Sequence, residues 1–197
     1  MVVGLTGKYC SGKSTVGSLF QEAGWHVIEV DALGHQALEA LKKEVSSIFG
    51  DDILRDGRVD RSRLGRIVFK DYHKRLLLEG IVHPWMKQRC IDLVEKDKAK
   101  RIHSVINAAL LHYMDLDSIC DYGVYVRSPF FVRFYRGKVR DGTNFREFLQ
   151  RERAQKHIHV YNITCRNAVF SIHNTGNRIH LKNQLEEMLH LIHKKDI

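Results

Sequence analysis

Along the chain, short runs of apolar, largely β-branched residues alternate with longer stretches whose apolar positions recur every three or four residues. Val2–Leu5 is the first short run and predicts a strand. Ser14–Ala23 then places Val16, Leu19, Phe20 and Ala23 on one helical face, and Gly24 stops it. Further strands are expected at Trp25–Val30, Ile102–Ile106, Gly123–Val126 and Ala168–Ile172, with a closing amphipathic helix over Gln184–Ile192. Strands separated by helices need crossover connections. The expected class is therefore α/β, a five-stranded parallel sheet flanked by helices.

Two stretches interrupt the alternation. Residues 31–100 are mostly helical and polar, with turn signals at Phe49-Gly50-Asp51-Asp52 and at Asp56-Gly57. Residues 128–165 form a basic helical segment. Insertions at the carboxyl ends of parallel strands are where such sheets build binding sites. The expected organisation is a core of 1–30, 101–127 and 166–197, a helical insertion at 31–100 and a second one at 128–165. No internal repeat or low-complexity tract breaks this plan.

Composition narrows the class only a little. At 197 residues, 44% hydrophobic and 28% charged, the chain has room for a sizeable core and does not read as disordered. No apolar run approaches a membrane span, and Met1-Val2-Val3-Gly4-Leu5 lacks the basic flank of a signal peptide. Cys10, Cys90, Cys120 and Cys165 form no C-x-x-C pair, so neither zinc nor a dithiol motif is indicated, and a cytoplasmic protein with free thiols is expected. The formal charge of +9 calls for an anionic partner: nucleic acid, acidic lipid or a phosphorylated small molecule.

One motif changes the picture. Gly7-Lys8-Tyr9-Cys10-Ser11-Gly12-Lys13-Ser14 fits G-x-x-x-x-G-K-[ST] between a predicted strand and a predicted helix, the phosphate-loop signature of P-loop NTPases. Glycines let such a loop wrap so that backbone N–H groups point at phosphate oxygens, and the helix N-terminus adds positive potential. Residues Gly7 to Thr15 are thus expected to hold ATP, with Lys13 bridging its terminal phosphates and Ser14 ligating Mg²⁺. No N-K-x-D guanine motif occurs. With two helical insertions in a short chain, a small-molecule kinase is favoured over a GTPase or motor.

Asp31 closes the second predicted strand. It reads either as the group that accepts the acceptor's hydroxyl proton or as the N-cap of a helix over Ala32–Leu41. Residues 127–156 carry nine basic side chains against three acidic ones, most of the chain's excess charge. On a helix, Phe130, Phe131, Phe134 and Tyr135 share one arc, expected to pack on the core. Arg133, Arg136 and Arg140 share the opposite arc, expected to face the cleft, where guanidinium forks suit phosphoryl oxygens. A solvated charged face or a nucleic-acid patch is the competing reading. His157-Ile158-His159 and His190-x-x-His193 lack any accompanying metal-ligand pattern, and His83-Pro84 reads as an acceptor contact or a helix start.

The motifs together resemble the dephospho-coenzyme A kinase family over nearly the whole chain. The resemblance rests on Gly4-Leu5-Thr6-Gly7 running into Ser11-Gly12-Lys13-Ser14-Thr15, on Asp31, and on Phe49 to Leu54 followed by Asp56-Gly57-Arg58-Val59-Asp60-Arg61. It continues through Glu79-Gly80-Ile81-Val82-His83-Pro84, then Arg136, Arg140-Asp141-Gly142, Arg151 and Gln155, and Asn174-Thr175-Gly176. It implies ATP-dependent phosphorylation of the ribose 3′-hydroxyl of dephospho-coenzyme A, the last step of coenzyme A synthesis. It also implies an acceptor domain at 31–100 and a mobile lid at 128–165. Asp31 would be the catalytic base, Arg140 and Arg136 would clamp ATP, and Asn174 and Gly176 would sit at the adenine. The chain departs from the family pattern at Lys8, where a glycine is common, at Asn107, Ala109 and Tyr113 after the third strand, and at His173. Two rival functions are a P-loop kinase for another small acceptor, and a weakly catalytic nucleotide binder that contacts nucleic acid through its basic face.

Overall fold

The computed structural model describes residues 1–195, so the last two residues of the expected core segment 166–197 lie outside the described residues. In chain order the elements are β1 (Val2–Thr6), α1 (Lys13–Glu22), β2 (His26–Glu29), α2 (Val30–Ala40), α3 (Lys42–Phe49), β3 (Leu54–Arg55), β4 (Arg58–Val59), α4 (Arg61–Lys70) and α5 (Tyr72–Ala99). They continue with β5 (Ser104–Asn107), β6 (Tyr122–Arg127), α6 (Phe130–Asp141), α7 (Phe145–Ala154), β7 (Ala168–His173) and α8 (Arg178–Lys195). The five long strands form one sheet in the order β2-β5-β1-β6-β7. β1 pairs in parallel with β5 (Val3 beside Val105) and with β6 (Leu5 beside Val124), and β6 pairs in parallel with β7. This is the five-stranded α/β sheet expected from the alternating pattern.

The chain divides into two compact units, residues 1–28 with 94 onward, and residues 29–93. In the first, β1 is buried at every position, as a central parallel strand covered on both faces must be. On one face Val16, Leu19 and Phe20 of α1 and Leu181, Leu185, Met188 and Ile192 of α8 close over Val3, Leu5 and Val124. Phe20 meets Trp25 edge-on, ring centroids 5.3 Å apart. Elsewhere on β1, a Cβ at Gly4 would stand 2.7 Å from Leu111, so glycine lets the chain after β5 lie against the strand.

In the second unit, Val45, Ile53, Val59, Leu64 and Val68 form a separate small core. Asp56-Gly57 turns the β3–β4 hairpin with both residues at positive φ, 51° and 72°, as a tight type I′ turn requires. Asp60 caps α4 by accepting from the N–H groups of Ser62 and Arg63.

The structure corrects several boundaries. The second strand ends at Glu29, so Val30 and Asp31 are already helical, and Glu29 rather than Asp31 holds the N-cap position of α2. The strand stops there because Val30 is drawn into a helical face with Leu33 and Ala37. His83-Pro84 lies inside the 28-residue α5, not at a helix start. An internal proline costs a helix about 3 kcal/mol, which burial of Val82, Met86, Cys90 and Val94 offsets. The aromatic arc of α6 divides: Phe130 and Phe134 pack edge-on against Phe148 of α7, while Phe131 and Tyr135 are exposed. Segment 128–165 clusters with the first unit. Among the described residues no helix is long and apolar enough to cross a membrane.

Phe20 is fully buried under α8 and against Trp25. Phe20→Ala is expected to destabilise the protein by about 3–5 kcal/mol, read as a lower midpoint in urea unfolding at unchanged slope.

Candidate active site

The loop after β1 takes its shape from a few unusual backbone positions. Gly12, the N-cap of α1, sits at φ 95°, and Cys10 is also left-handed at φ 58°. A Cβ on Gly12 would stand 1.9 Å from Asn174 Nδ2. Gly7 packs so tightly that a Cβ would stand 2.7 Å from the Val126 carbonyl and 2.8 Å from Ser11 Oγ. These two glycines are required by close approach, not only by flexibility.

Two side chains brace the loop through its carbonyls. Asn174, 3% exposed just after β7, donates its amide to the Ser11 carbonyl at 2.9 Å. Arg136 donates to the carbonyls of Cys10 and Ser11 (3.4 Å each), to Ser128 Oγ at 3.2 Å and to Asn174 Oδ1 at 2.9 Å. The N–H of Gly176 also donates to Asn174 Oδ1, at 3.1 Å. Burial lowers the Arg136 pKa from its ordinary value, with partial compensation from Cys10. Holding these carbonyls outward leaves amides for an anion, and among the described residues the N–H groups of Cys10 and Gly12 have no protein acceptor.

The expected lid is joined to the same loop. Lys8 Nζ lies 2.5 Å from Glu152 Oε1, and Arg133 Nη1 donates to Glu152 Oε2 at 2.7 Å. Burial raises the Glu152 pKa, but bonds from Arg133 and Lys8 outweigh it and hold the carboxyl below its usual range. The Tyr9 N–H donates to Gln155 Oε1 at 2.7 Å, and its hydroxyl donates to Asp141 and lies 3.0 Å from Thr143 Oγ1. The guanidinium groups of Arg140 and Arg151 lie 5.3 and 4.4 Å from the Tyr9 ring centre. Arg140 also binds Asp141 through two bonds of 2.9 Å. Those bonds, with the Tyr9 hydroxyl, lower the Asp141 carboxyl to about 2. Sequence reasoning missed the roles of Glu152, Asp141 and Thr143. Glu152 and Asp141 are signalled only as acidic residues that interrupt a basic run, Asp141 also within the Arg140-Asp141-Gly142 motif, and Thr143 carries no signal.

The remaining expected residues fall as follows. Lys13 opens α1 and Ser14 is exposed on its first turn, with Thr15 half-buried behind it. Asn107 ends β5 at 3% exposure, facing Gly17 of α1. Tyr113 is exposed, its ring centre 6.1 Å from that of His157. Asp31 lies in the other unit, exposed on the first turn of α2. Among the described residues no group of three or more His, Cys, Asp or Glu side chains is arranged to hold a metal ion by itself. A P-loop Mg²⁺ needs little from the protein, because nucleotide phosphates and water fill most of its shell. The exposed Ser14 hydroxyl fits that role.

Because Arg140 and Tyr9 depress the Asp141 pKa, that pairing is complete above the ordinary carboxyl value of 3.8 and is lost as pH falls toward 2. Acid unfolding followed by circular dichroism is expected to begin at higher pH in Asp141→Asn than in the wild type. Identical acid limbs would contradict the pairing. Gly12→Ala is expected to abolish nucleotide binding by calorimetry, since it forces the loop off Asn174.

The family model for dephospho-CoA kinase matches residues 1–177. A dephospho-CoA kinase of Wolinella succinogenes is 32% identical over 195 residues, covering 98% of this chain and 95% of the relative. One of Thermus thermophilus is 30% identical over 189 residues, covering 96% and 90%. Among solved structures, TT1252 from Thermus thermophilus superposes with a TM-score of 0.76 at 28% identity, covering 96% of each chain. A shikimate kinase from Bacteroides thetaiotaomicron shares the fold, with a TM-score of 0.54 at 11% identity over 98% of each chain. With a braced phosphate loop, a helical segment joined to it and a family match over most of its length, this chain belongs to the dephospho-CoA kinase family.

Proposed function

We propose that this chain transfers the γ-phosphoryl group of ATP to the ribose 3′-hydroxyl of dephospho-coenzyme A, giving coenzyme A and ADP. The observation that carries this is the phosphate loop, held open by Asn174 and Arg136, in a chain of this family. Lys13 and the loop amides bind and orient the phosphates, and the N-terminus of α1 favours their charge. Ser14 would hold Mg²⁺, which when bound screens the phosphate charges. Asp31 takes the acceptor's hydroxyl proton as the phosphoryl group moves onto that oxygen.

Arg140 is the proposed cation for the charge that builds on the equatorial oxygens. Its present bonds to Asp141 give it a resting place, so reaching the phosphates requires those bonds to open. Arg136, Asn174 and Gly176 act on the nucleotide through the loop they brace. Lid residues Glu152, Gln155 and Asp141 hold Lys8 and Tyr9 and help to keep water from the transfer. Much of the lid's cationic charge faces these carboxylates and the loop, which supports a small anion over a nucleic acid. The four cysteines are free thiols, which suits a cytoplasmic enzyme.

Incubation with ATP, Mg²⁺ and dephospho-coenzyme A is expected to yield coenzyme A by mass spectrometry. Folded protein that gives no acceptor-dependent product would overturn the proposal. Asp31→Asn is expected to lower kcat by about 10²–10⁴-fold with little change in ATP affinity.

A further inference from the structure

Beside the phosphate loop lies a cavity of about 190 Å³ that the roles above leave unused. It is lined by Lys8, Ser11, Arg127, Ser128, Arg133 and His159, together with the end of β6. Three of these side chains are fixed cations. Arg133 is a built part of the wall: its side chain is 7% exposed, its Nε donates to the Ser128 carbonyl at 3.2 Å, and its Nη1 donates to Glu152. Glu152 is shared between Arg133 and Lys8, so one carboxylate faces three cations and two positive charges are left in excess. Arg127 makes no ion pair among the described residues.

A second observation points to a ligand. The Ser11 hydroxyl is buried, at 1% exposure for the residue, and has no hydrogen-bond partner among the described residues. A buried hydroxyl without a partner is costly, and an anion in this cavity would supply an acceptor. A buried guanidinium and hydroxyl, with a half-buried ammonium and an exposed guanidinium around a small polar cavity, form a recognition set for phosphate oxygens.

We infer that this cavity, which shares Lys8 and Ser11 with the phosphate loop, is a second anion site beside the one the loop amides make for the nucleotide, and that it takes a pyrophosphate group. Its excess of two positive charges matches a pyrophosphate diester, which carries two negative charges. Dephospho-coenzyme A contains such a group, so the acceptor's own pyrophosphate is one source and free pyrophosphate the other. The first source rests on the proposed acceptor; the site itself does not.

Protein saturated with a non-hydrolysable ATP analogue, so that the loop is filled, is titrated with inorganic pyrophosphate by calorimetry at low salt. One saturable site per chain is expected, weakened about tenfold or more in Arg127→Ala and largely restored in Arg127→Lys. Arg127 is exposed at the end of β6, so its replacement leaves the fold intact. No saturable binding beyond the analogue, or equal binding in wild type and Arg127→Ala, would overturn the site. Steady-state kinetics then identifies the source. A raised KM for dephospho-coenzyme A at unchanged KM for ATP in Arg127→Ala assigns the site to the acceptor. An unchanged acceptor KM with weakened pyrophosphate binding supports the site as one for the free anion. If the wild type does not turn over dephospho-coenzyme A, the proposed function fails while the titration still decides the site.

Discussion

The Ser11 carbonyl accepts from Asn174 and Arg136 at once, and much else in the unit that holds the phosphate loop follows from that arrangement. A chain of amides gathers around an anion only if its carbonyls are satisfied elsewhere. Here the acceptors are turned toward a buried amide and a partly buried guanidinium contributed by two distant segments, the turn after β7 and the middle of α6. The requirement for glycine at position 12 is the steric side of the same contact, since any side chain there would displace Asn174. The parallel sheet supplies the register: β1 lies beside β6 and β6 beside β7, which brings the loop, the start of α6 and Asn174 to one end.

Lys8 and Tyr9 extend this bracing to α6 and α7. Lys8 shares Glu152 with Arg133, and Tyr9 is held at its amide, ring and hydroxyl by groups of α6, α7 and the turns that follow them. The shape of the loop is therefore tied to the placement of segment 128–165. An ion pair that is partly buried and shared among three groups is costly to break at one member, because the others are left uncompensated. Arg140 is in a different position. Its pair with Asp141 is solvent-exposed and thus weaker than the shared pair at Glu152.

Hydrophobic periodicity made the sheet legible, because β1, β5 and β6 are buried on both faces and each carries a short apolar run. The phosphate loop was legible because its function demands fixed residue types at fixed spacing. Boundaries governed by packing were less so. Val30 and Asp31 look like strand residues until Leu33 and Ala37 draw them into a helix. Pro84 signals a helix start locally, yet burial along α5 carries the helix through it. Aromatic residues of α6 read as one face, but α7 covers only Phe130 and Phe134. The side chains bracing the loop were visible as motif residues. That Asn174 and Arg136 act on its carbonyls was not, because such contacts join positions more than 120 residues apart.

The bracing is tested most directly by the affinity of ATP for Asn174→Ala, measured by calorimetry alongside the wild type. The substitution removes the donor to Ser11 and the acceptor for Arg136 and Gly176 while leaving Lys13, Ser14 and every loop residue in place. Loss of such bonds is expected to weaken ATP binding by about tenfold or more, with the far-ultraviolet circular dichroism unchanged. Wild-type affinity in the folded variant would contradict the dependence of the phosphate cradle on Asn174.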